Sequence, residues 1–454
     1  MQTKKSFNYW QWRVIICTMI GYSMFYFVRK NFSFAMPALK EEFGITNTSF
    51  GIILTIIGII YGVSKFINGI ISDRSNARWH LSLGLAVCVA VNFAFGWSAE
   101  LSAWITGETG GPDFTGALVA VIAVLLIVNN IFQGCGFGPC NHLMVNWVPT
   151  NELATKMSVW NTSHSIGAGI VSVLCGSIIG GLCDGLVPGV KAWQWCFWIP
   201  ALIGTFGVFF IIVTLRDTPR SVGLPELPDT RTTLDENDSP AEFRKFLLSH
   251  VLTNKIVWIL AVTDLFVYIV RFAVLDWGPT FLKDKHLSPQ LAGWTIGIFE
   301  IAGCVGMLLA GWMTDKFFKG KAHRMCFIEM MLVAVCMLIL QILPADSSPV
   351  LLLVILALSG FFLYGPQALL GVTASKHATK KAASTAVGII GLMSYASVIF
   401  TGAGLGWFSD RFGWDHLFGL MCAVAVTGGL IVLTLWNIKD DGYIHDEDEP
   451  SSVG

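Results

Sequence analysis

Residues 254–283 read NKIVWILAVTDLFVYIVRFAVLDWGPTFLK, a long apolar run that carries an arginine, Arg271, near its centre. A bilayer core about 30 Å thick needs roughly 20 apolar residues per helix, so this run is long enough to cross it. A charge at the bilayer centre costs roughly 3 kcal/mol on insertion scales and is retained mainly where function needs it. The run therefore predicts a membrane-spanning helix with a functional cation.

The composition of the whole chain agrees with a membrane protein. Of its 454 residues 54% are apolar and only 13% are charged, a charged fraction about half that of a soluble globular protein. This excludes a soluble fold, a disordered chain and a basic nucleic-acid binder. The 11 cysteines are scattered singly in apolar runs, and we expect no metal or other cofactor.

Apolar windows of roughly 20 residues predict twelve spans. They lie near 12–36, 50–71, 80–98, 118–146, 154–181, 191–215, 254–283, 290–313, 323–343, 349–374, 381–405 and 414–436. A polar stretch with four prolines, 216–253, separates the sixth span from the seventh. We therefore predict an all-α integral membrane protein of twelve transmembrane helices in two pseudo-symmetric six-helix bundles. The domains are 1–215, a cytoplasmic linker 216–253, 254–437 and an acidic tail 438–454.

The orientation follows from the basic residues, because loops on the cytoplasmic side concentrate Lys and Arg. Those flanking the spans lie mostly on the side of the N-terminus; the other side has only Lys40, Lys191, Lys283, Lys285 and Arg411. We expect both termini to be cytoplasmic, which an even number of spans requires.

The two halves repeat each other around the embedded arginines. An offset of 242 residues brings Tyr26 and Arg29 onto Tyr268 and Arg271, so each half reads Tyr-x-Val-Arg in its first helix. Internal repeats of this kind are typical of secondary transporters, which bind substrate near the midplane between the repeats.

The same offset maps Gly69-x-x-x-Asp73-Arg74 onto Gly311-x-x-x-Asp315 at the inner end of the second helix in each half. The glycines allow close helix approach, and the aspartates can accept from a helix N-terminus or an arginine. We expect a latch that stabilises the outward-facing state; the alternative is a solvated turn. Further Gly-x-x-x-Asp copies at 180–184 and 406–410 indicate nested three-helix units.

Two guanidinium groups at matched positions suit a phosphate monoester, because each presents a planar fork of donors that fits phosphate oxygens. One arginine from each half, Arg29 and Arg271, would bind one dianion. Empty, the site would hold two desolvated like charges, which predicts closure only around a bound anion and hence obligatory exchange. For Arg29 the alternative is snorkelling to the outer interface.

Other polar groups in the spans are weaker candidates. Lys65 carries positive charge toward the inner part of the cavity, or is an interfacial lysine. His164, beside Asn161, could donate to phosphate and change charge near neutral pH, or be a packing residue. Glu300, an acid among apolar residues, is expected to pair with a cation or to stay protonated. The alternative to a role in the site is a purely structural ion pair within the second half.

Aromatic side chains could stack on a sugar ring or hydrogen-bond to it, although most aromatics in such a chain pack or lie at interfaces. Tyr26 and Tyr268 are favoured because each lies three residues before its arginine, on the same helix face. Trp160 and Tyr395 are further candidates.

Five segments carry a resemblance to a known family: 26–32, 61–66, 158–164, 271–277 and 364–367. With the twelve spans and the loop 69–78, they resemble the major facilitator superfamily, and within it the organophosphate:phosphate antiporters. That family includes glycerol-3-phosphate and hexose-6-phosphate exchangers and a related membrane sensor. The similarity runs from about residue 10 to about residue 437, and 61–78 resembles the hexose-phosphate branch most.

The resemblance implies import of glucose 6-phosphate against inorganic phosphate by alternating access, with His164 beside the phosphate and Glu300 near the cavity. Tyr395 matches a family tyrosine, whereas Val387 and Ile390 replace a charged pair of some hexose-phosphate carriers. The alternatives are a hexose-phosphate sensor with little transport and a glycerol-3-phosphate exchanger.

An enzyme is not expected, because neither a phosphatase nucleophile nor a paired metal-binding carboxylate motif accompanies the two arginines. The sequence also lacks an ATP-binding loop, so nothing supports ATP as the energy source. The expected partners are organophosphate, inorganic phosphate and the lipid bilayer, without nucleic acid. We expect a monomer that crosses a bacterial inner membrane several times.

Overall fold

The computed structural model describes residues 2–72, 75–225, 251–344, 347–377 and 379–438. Asp73 and Arg74 of the predicted latch lie outside the described residues, as do most of the predicted linker and the tail beyond residue 438. The described part of the chain is helical, without a strand.

The described residues of the first half form eight α-helices, α1 Gln2–Phe43, α2 Asn47–Ser72, α3 Ala77–Gly96, α4 Ser98–Thr106, α5 Pro112–Gln133, α6 Phe137–Trp147, α7 Thr150–Ser177 and α8 Ala192–Thr214. A π-helical turn, Ile178–Leu182, extends α7, and a 3₁₀ turn, Pro219–Val222, follows α8.

The second half forms α9 Lys255–Asp284, α10 Pro289–Phe318, α11 Ala322–Ile342, α12 Pro349–His377, α13 Thr379–Ala396, α14 Leu405–Phe412 and α15 Leu417–Leu433. A π-helical turn, Phe400–Gly404, joins α13 to α14.

Within the described residues, 10 helical stretches are long and apolar enough to cross a membrane, and they correspond to predicted spans two to eleven. The first predicted span lies in α1 and the twelfth in the shorter apolar α15. The predicted all-helical membrane fold and the order of its spans are confirmed. The fourth span consists of two helices, α5 and α6. Between them Gly134 packs so closely on α2 that a Cβ there would lie 2.2 Å from Ser64 Oγ.

The chain folds into two compact units that do not follow the two halves of the sequence. Unit 1 comprises 1–228, 274–301 and 401–414; unit 2 comprises 229–273, 302–400 and 415–454. Helix α9 therefore begins in unit 2 and ends in unit 1. The six-helix domain boundaries remain a prediction.

In unit 1, α1 packs against α7 and α8. Gly167 of α7 lies against α1, where a Cβ would come within 2.8 Å of the Ser23 carbonyl oxygen. The Ser23 hydroxyl donates to the Ser163 carbonyl at 2.8 Å. Small residues allow such close approach between membrane helices, and here they set His164 of α7 opposite the middle of α1.

In unit 2, α11 packs against α12 and α15. Two glycines of α10 admit α12: a Cβ at Gly306 would lie 1.8 Å from the Phe361 carbonyl oxygen, and one at Gly303 would lie 2.6 Å from the ring of Tyr364. The Tyr364 ring therefore fills the space beside Gly303.

Candidate functional site

Helix α1 is broken immediately before Arg29. Val28 has non-helical torsions, φ −97° and ψ 17°. Its carbonyl accepts hydrogen bonds from the side-chain amides of Asn92, at 3.0 Å, and Asn129, at 2.9 Å. A free backbone carbonyl is costly inside a bilayer, so these two amides stabilise the break and thereby set the direction of Arg29.

Further buried amides hold the same segment of α1. Asn31 donates to the Asn92 side-chain oxygen at 2.8 Å and to the Cys196 carbonyl at 3.0 Å, and Gln133 donates to the Phe25 carbonyl at 3.0 Å. Helices α3, α5 and α8 thus all anchor α1 near Arg29. The sequence analysis missed this network, whose signal was the presence of Asn and Gln inside apolar spans.

Arg29 is half-buried among rings. Its guanidinium carbon lies 3.7 Å from the ring centroid of Tyr61 and 5.9 Å from that of Tyr26. The rings of Tyr26 and His164 have centroids 5.9 Å apart. The structure therefore brings three predicted site residues together in unit 1 and adds Tyr61, the first residue of the segment 61–66.

His164 is buried, and its Nδ1 donates to the Asn161 carbonyl within α7. With Nδ1 as the donor, Nε2 of the neutral ring is an acceptor. Trp160, in contrast, lies wholly inside the core, with its ring centroid 4.9 Å from that of Tyr22. In this position Trp160 supports the α1–α7 contact.

Lys65 follows Tyr61 by one turn of α2 and is half-buried. Its ammonium lies 4.1 Å from the ring centroid of Phe137, a cation–π distance. Like Arg29, Lys65 is therefore held against an aromatic face.

Arg271 is buried in unit 2, with 7% of its surface exposed. Its Nε donates to the Tyr364 hydroxyl at 3.1 Å, and its guanidinium carbon lies 4.8 Å from the Tyr364 ring centroid and 5.6 Å from that of Tyr268. Tyr268 is thus adjacent to Arg271, as predicted from their spacing. The closer partner, Tyr364, comes from α12 and was not among the predicted site residues.

The remaining candidates, Tyr395 and Glu300, belong to different units. Tyr395 is half-buried on α13 of unit 2, next to Ser394, whose hydroxyl donates to Asp264. Glu300 is fully buried in the part of α10 that belongs to unit 1.

An ion pair within unit 1 joins the two halves of the sequence. Lys30 Nζ and Asp276 Oδ1 are 2.6 Å apart, and both side chains are largely buried. Lys30 directly follows Arg29, and its role was left open by the sequence; in the structure it forms one of the links between α1 and α9.

Further contacts within unit 1 also join the halves. The Asp410 carboxylate accepts from the backbone N–H groups of Asn47, at 3.2 Å, and Thr48, at 2.7 Å, and so binds the N-terminus of α2. Lys283 donates to Glu41 and lowers the pKa of that exposed carboxyl through the hydrogen bond and its charge.

The predicted latch is only partly described. Gly69 contacts α6, where a Cβ added to Gly138 would lie 3.1 Å from the Gly69 Cα. At Gly311 an added Cβ would meet no described atom within 4 Å, and Asp315 is exposed. A role for these residues as a conformational latch stays a prediction.

Comparison with known proteins places this geometry in a family. The family profile described as "Major Facilitator Superfamily" matches residues 18–403. The chain is 34% identical to the glycerol-3-phosphate transporter of Bacillus subtilis over 94% of its own length and 92% of the relative. It is also 34% identical to a probable hexose phosphate transport protein of Chlamydia pneumoniae, over 96% and 93%. It is 30% identical to the membrane sensor protein UhpC of Escherichia coli, over 95% of its own length and 94% of the relative.

Solved structures share the fold. The inward open xylose transporter XylE from E. coli superposes with a TM-score of 0.72 at 14% identity, covering 93% of this chain and 96% of that one. A bacterial homologue of the human lysosomal transporter Spinster, inward-facing and unoccupied, superposes with a TM-score of 0.70 at 14% identity. The match covers 94% of this chain and 95% of that one.

Proposed function

Because this chain belongs to the major facilitator superfamily, we propose that it exchanges a sugar phosphate, such as glucose 6-phosphate, for inorganic phosphate across a bacterial inner membrane. Relatives that match nearly its whole length are named as transporters of hexose phosphate and of glycerol 3-phosphate. The proposal makes the chain a carrier and not an enzyme.

The observation that carries the proposal is the pair of arginines, one in the first helix of each half, each lying against an aromatic face. Arg29 lies over Tyr61, and Arg271 lies beside Tyr364. Aromatic faces attract a guanidinium without contributing a negative charge of their own. A planar fork of donors then binds phosphate oxygens with defined geometry.

The other groups have supporting roles in this proposal. His164 donates to a phosphate oxygen when it is protonated, since its Nδ1 is engaged with Asn161. Lys65 adds positive charge along the path, and Tyr26, Tyr268 and Tyr395 contact the sugar, while Glu300 balances the cations. Trp160 contributes by packing, since it is fully buried.

Exchange follows from electrostatics. Without a bound anion, enclosing Arg29 or Arg271 would desolvate a positive charge, whereas a phosphate or a sugar phosphate compensates that charge. The loaded carrier crosses between its two states and the empty carrier does not, so each substrate that enters requires another to leave.

We place both termini in the cytoplasm, in accord with the distribution of Lys and Arg. The ends of α1 and α10 that carry Glu41 and Pro289, and Asp410 of α14, then lie at the outer face. The contacts of Lys283 and Asp410 with the first half would accordingly close the outer side. We take the working unit to be a monomer.

Counterflow with purified protein in liposomes tests the proposal. Vesicles loaded with inorganic phosphate should take up labelled phosphate, and unlabelled glucose 6-phosphate outside should compete. Vesicles without internal phosphate are the matched control and should take up almost none, because exchange is obligatory.

The competitor series defines the substrate. Stronger competition by glycerol 3-phosphate than by glucose 6-phosphate would move the proposal to a glycerol-3-phosphate exchanger. Binding of glucose 6-phosphate without any counterflow would contradict transport and favour a sensor, the function named for the UhpC relative.

A further inference from the structure

Unit 2 buries two carboxyl groups inside its membrane helices, Asp264 of α9 and Glu329 of α11, each 1% exposed. A carboxylate inside a bilayer is costly unless it is paired with a cation, hydrogen-bonded or protonated. Each of the two acids must therefore be stabilised in one of these ways, and their surroundings differ.

Asp264 has two features that stabilise its ionised form. The Ser394 hydroxyl donates to Oδ2, and the charge of Arg271 acts on the carboxylate. Arg271 lies seven residues further along α9, which places it within about 20° of the same helix face. Oδ1 of Asp264 is buried and has no hydrogen-bond partner among the described residues.

Glu329 lacks that support. Its Oε2 is buried without a hydrogen-bond partner in the described part of the chain. It lies against the backbone of α12, where a Cβ at Gly365 would be 2.0 Å from Oε2. Such a carboxyl is stable as the neutral acid.

The groups around Asp264 come from three helices. Arg271 lies on its own helix and Ser394 lies on α13, while on α11 the Cys326 thiol lies within the electrostatic influence of both Asp264 and Glu329. From α12, Tyr364 acts indirectly through its hydrogen bond to Arg271. Arg271 is therefore the one cation among these described groups, and the charge of Asp264 depends on whether Arg271 is engaged elsewhere.

The repeat shows that the fold itself does not require these acids. At the 242-residue offset that aligns the arginines, Tyr22 corresponds to Asp264 and Val87 to Glu329. The first half thus builds the same helices without a carboxyl at either position.

We propose that Asp264 is a proton-binding site coupled to the anion site at Arg271, an inference that rests on the proposed function. With no phosphate at Arg271, ionised Asp264 offsets part of the Arg271 charge. When the phosphate group engages Arg271, Asp264 becomes a buried carboxylate close to a second anion and takes a proton from water. Glu329 is protonated in both states.

The consequence is that an anion and a proton bind together. When the anion is bound, Asp264 is then neutral instead of negatively charged. The proton it has taken up lowers the net negative charge of the loaded carrier. Exchange of two anions that differ in charge can be balanced in this way.

Proton uptake on binding tests the proposal. Titration calorimetry of inorganic phosphate into the purified full chain, at one pH in two buffers of different ionisation enthalpy, gives the protons taken up per anion. Asp264→Asn should bind phosphate but take up fewer protons than the unsubstituted protein, by on the order of one per anion. Glu329→Gln, the matched control, should keep the full uptake. Protonation of phosphate itself contributes equally to all three proteins.

Unchanged uptake in Asp264→Asn overturns the proposal, and loss of uptake in Glu329→Gln alone moves the proton site to Glu329. If Asp264→Asn does not fold, Ser394→Ala replaces it: without the hydroxyl donor Asp264 is protonated beforehand, so uptake falls, and unchanged uptake again overturns the proposal. Absence of any phosphate or glucose 6-phosphate binding contradicts the proposed function instead, and is thereby distinguished.

Discussion

The surroundings of Arg29 and Arg271 differ although the sequence places the two residues at matched positions. Arg29 is half-buried, follows a break in α1 and lies over the face of Tyr61. Arg271 is buried in the continuous helix α9 and donates to the hydroxyl of Tyr364. The two halves thus present the same cation with different supports.

The aromatic partner comes from a different helix in each half. Tyr61 lies on α2, and at the 242-residue offset its counterpart on α10 is Gly303. Because Gly303 has no side chain, the ring of Tyr364 from α12 fills that space, and a Cβ there would lie 2.6 Å from it. A missing side chain in one helix is compensated by a ring from another.

The break before Arg29 has no equivalent amide support in the second half. Asn92 and Asn129, which bind the Val28 carbonyl, correspond at the same offset to Ala334 and Gly371. The repeat therefore preserves the charge but not what orients it. Substitutions of the supports should affect the two halves unequally.

The largest effect is expected from replacing either arginine by lysine. Arg29→Lys and Arg271→Lys each lose the planar fork, and two charged hydrogen bonds at about 1.5–3 kcal/mol each correspond to a loss of exchange on the order of 100-fold or more. Arg271→Lys should be the more severe, because it also leaves Tyr364 without its donor. Phosphate counterflow in liposomes measures both.

Arg13→Lys is the matched control, since Arg13 also lies over a ring, 4.6 Å from the Trp10 centroid, but at the start of α1. It should exchange at the normal rate. Near-normal exchange by either Arg29→Lys or Arg271→Lys would show that a point charge suffices.

A smaller effect distinguishes the two tyrosines. Tyr364→Phe removes the acceptor of a buried charged donor, which costs about 1.5–3 kcal/mol and should weaken glucose 6-phosphate binding tenfold or more. Tyr61→Phe keeps the ring that faces Arg29 and should have the smaller effect of the two Phe substitutions. Tyr61→Leu removes that ring and with it about 0.5–2 kcal/mol of cation–π attraction, so it should weaken glucose 6-phosphate binding. Competition against labelled phosphate gives the affinities, and a stronger defect in Tyr61→Phe than in Tyr364→Phe would contradict the contrast.

The smallest effect concerns the helix break. Asn129→Ala leaves the Val28 carbonyl with one donor in place of two and should cost about 1 kcal/mol, since Asn92 remains. Asn130→Ala is the control, because Asn130 donates to the Leu126 carbonyl within its own helix α5. Thermal unfolding in detergent should show the lower midpoint for Asn129→Ala. Equal midpoints would mean that the second donor is dispensable.

Much of the candidate site was predictable, because hydropathy and embedded charge are local properties of the sequence. The helices, their order, both arginines and the adjacency of Tyr26 and Tyr268 to them followed from spacing. The pairing of Lys30 with Asp276 did not, since these residues are far apart in the chain and each has several possible partners.

The sequence by itself determined that this chain is a membrane-spanning helical protein with matched cations, since a bilayer demands long apolar helices and tolerates buried charge only for function. The tertiary structure alone decided which side chains hold each cation: Tyr61 and the amides for Arg29, Tyr364 for Arg271. The physical reason is that partner choice depends on how closely helices approach. Here that approach is set by single small residues such as Gly303, whose effect appears only when a neighbouring helix packs against them.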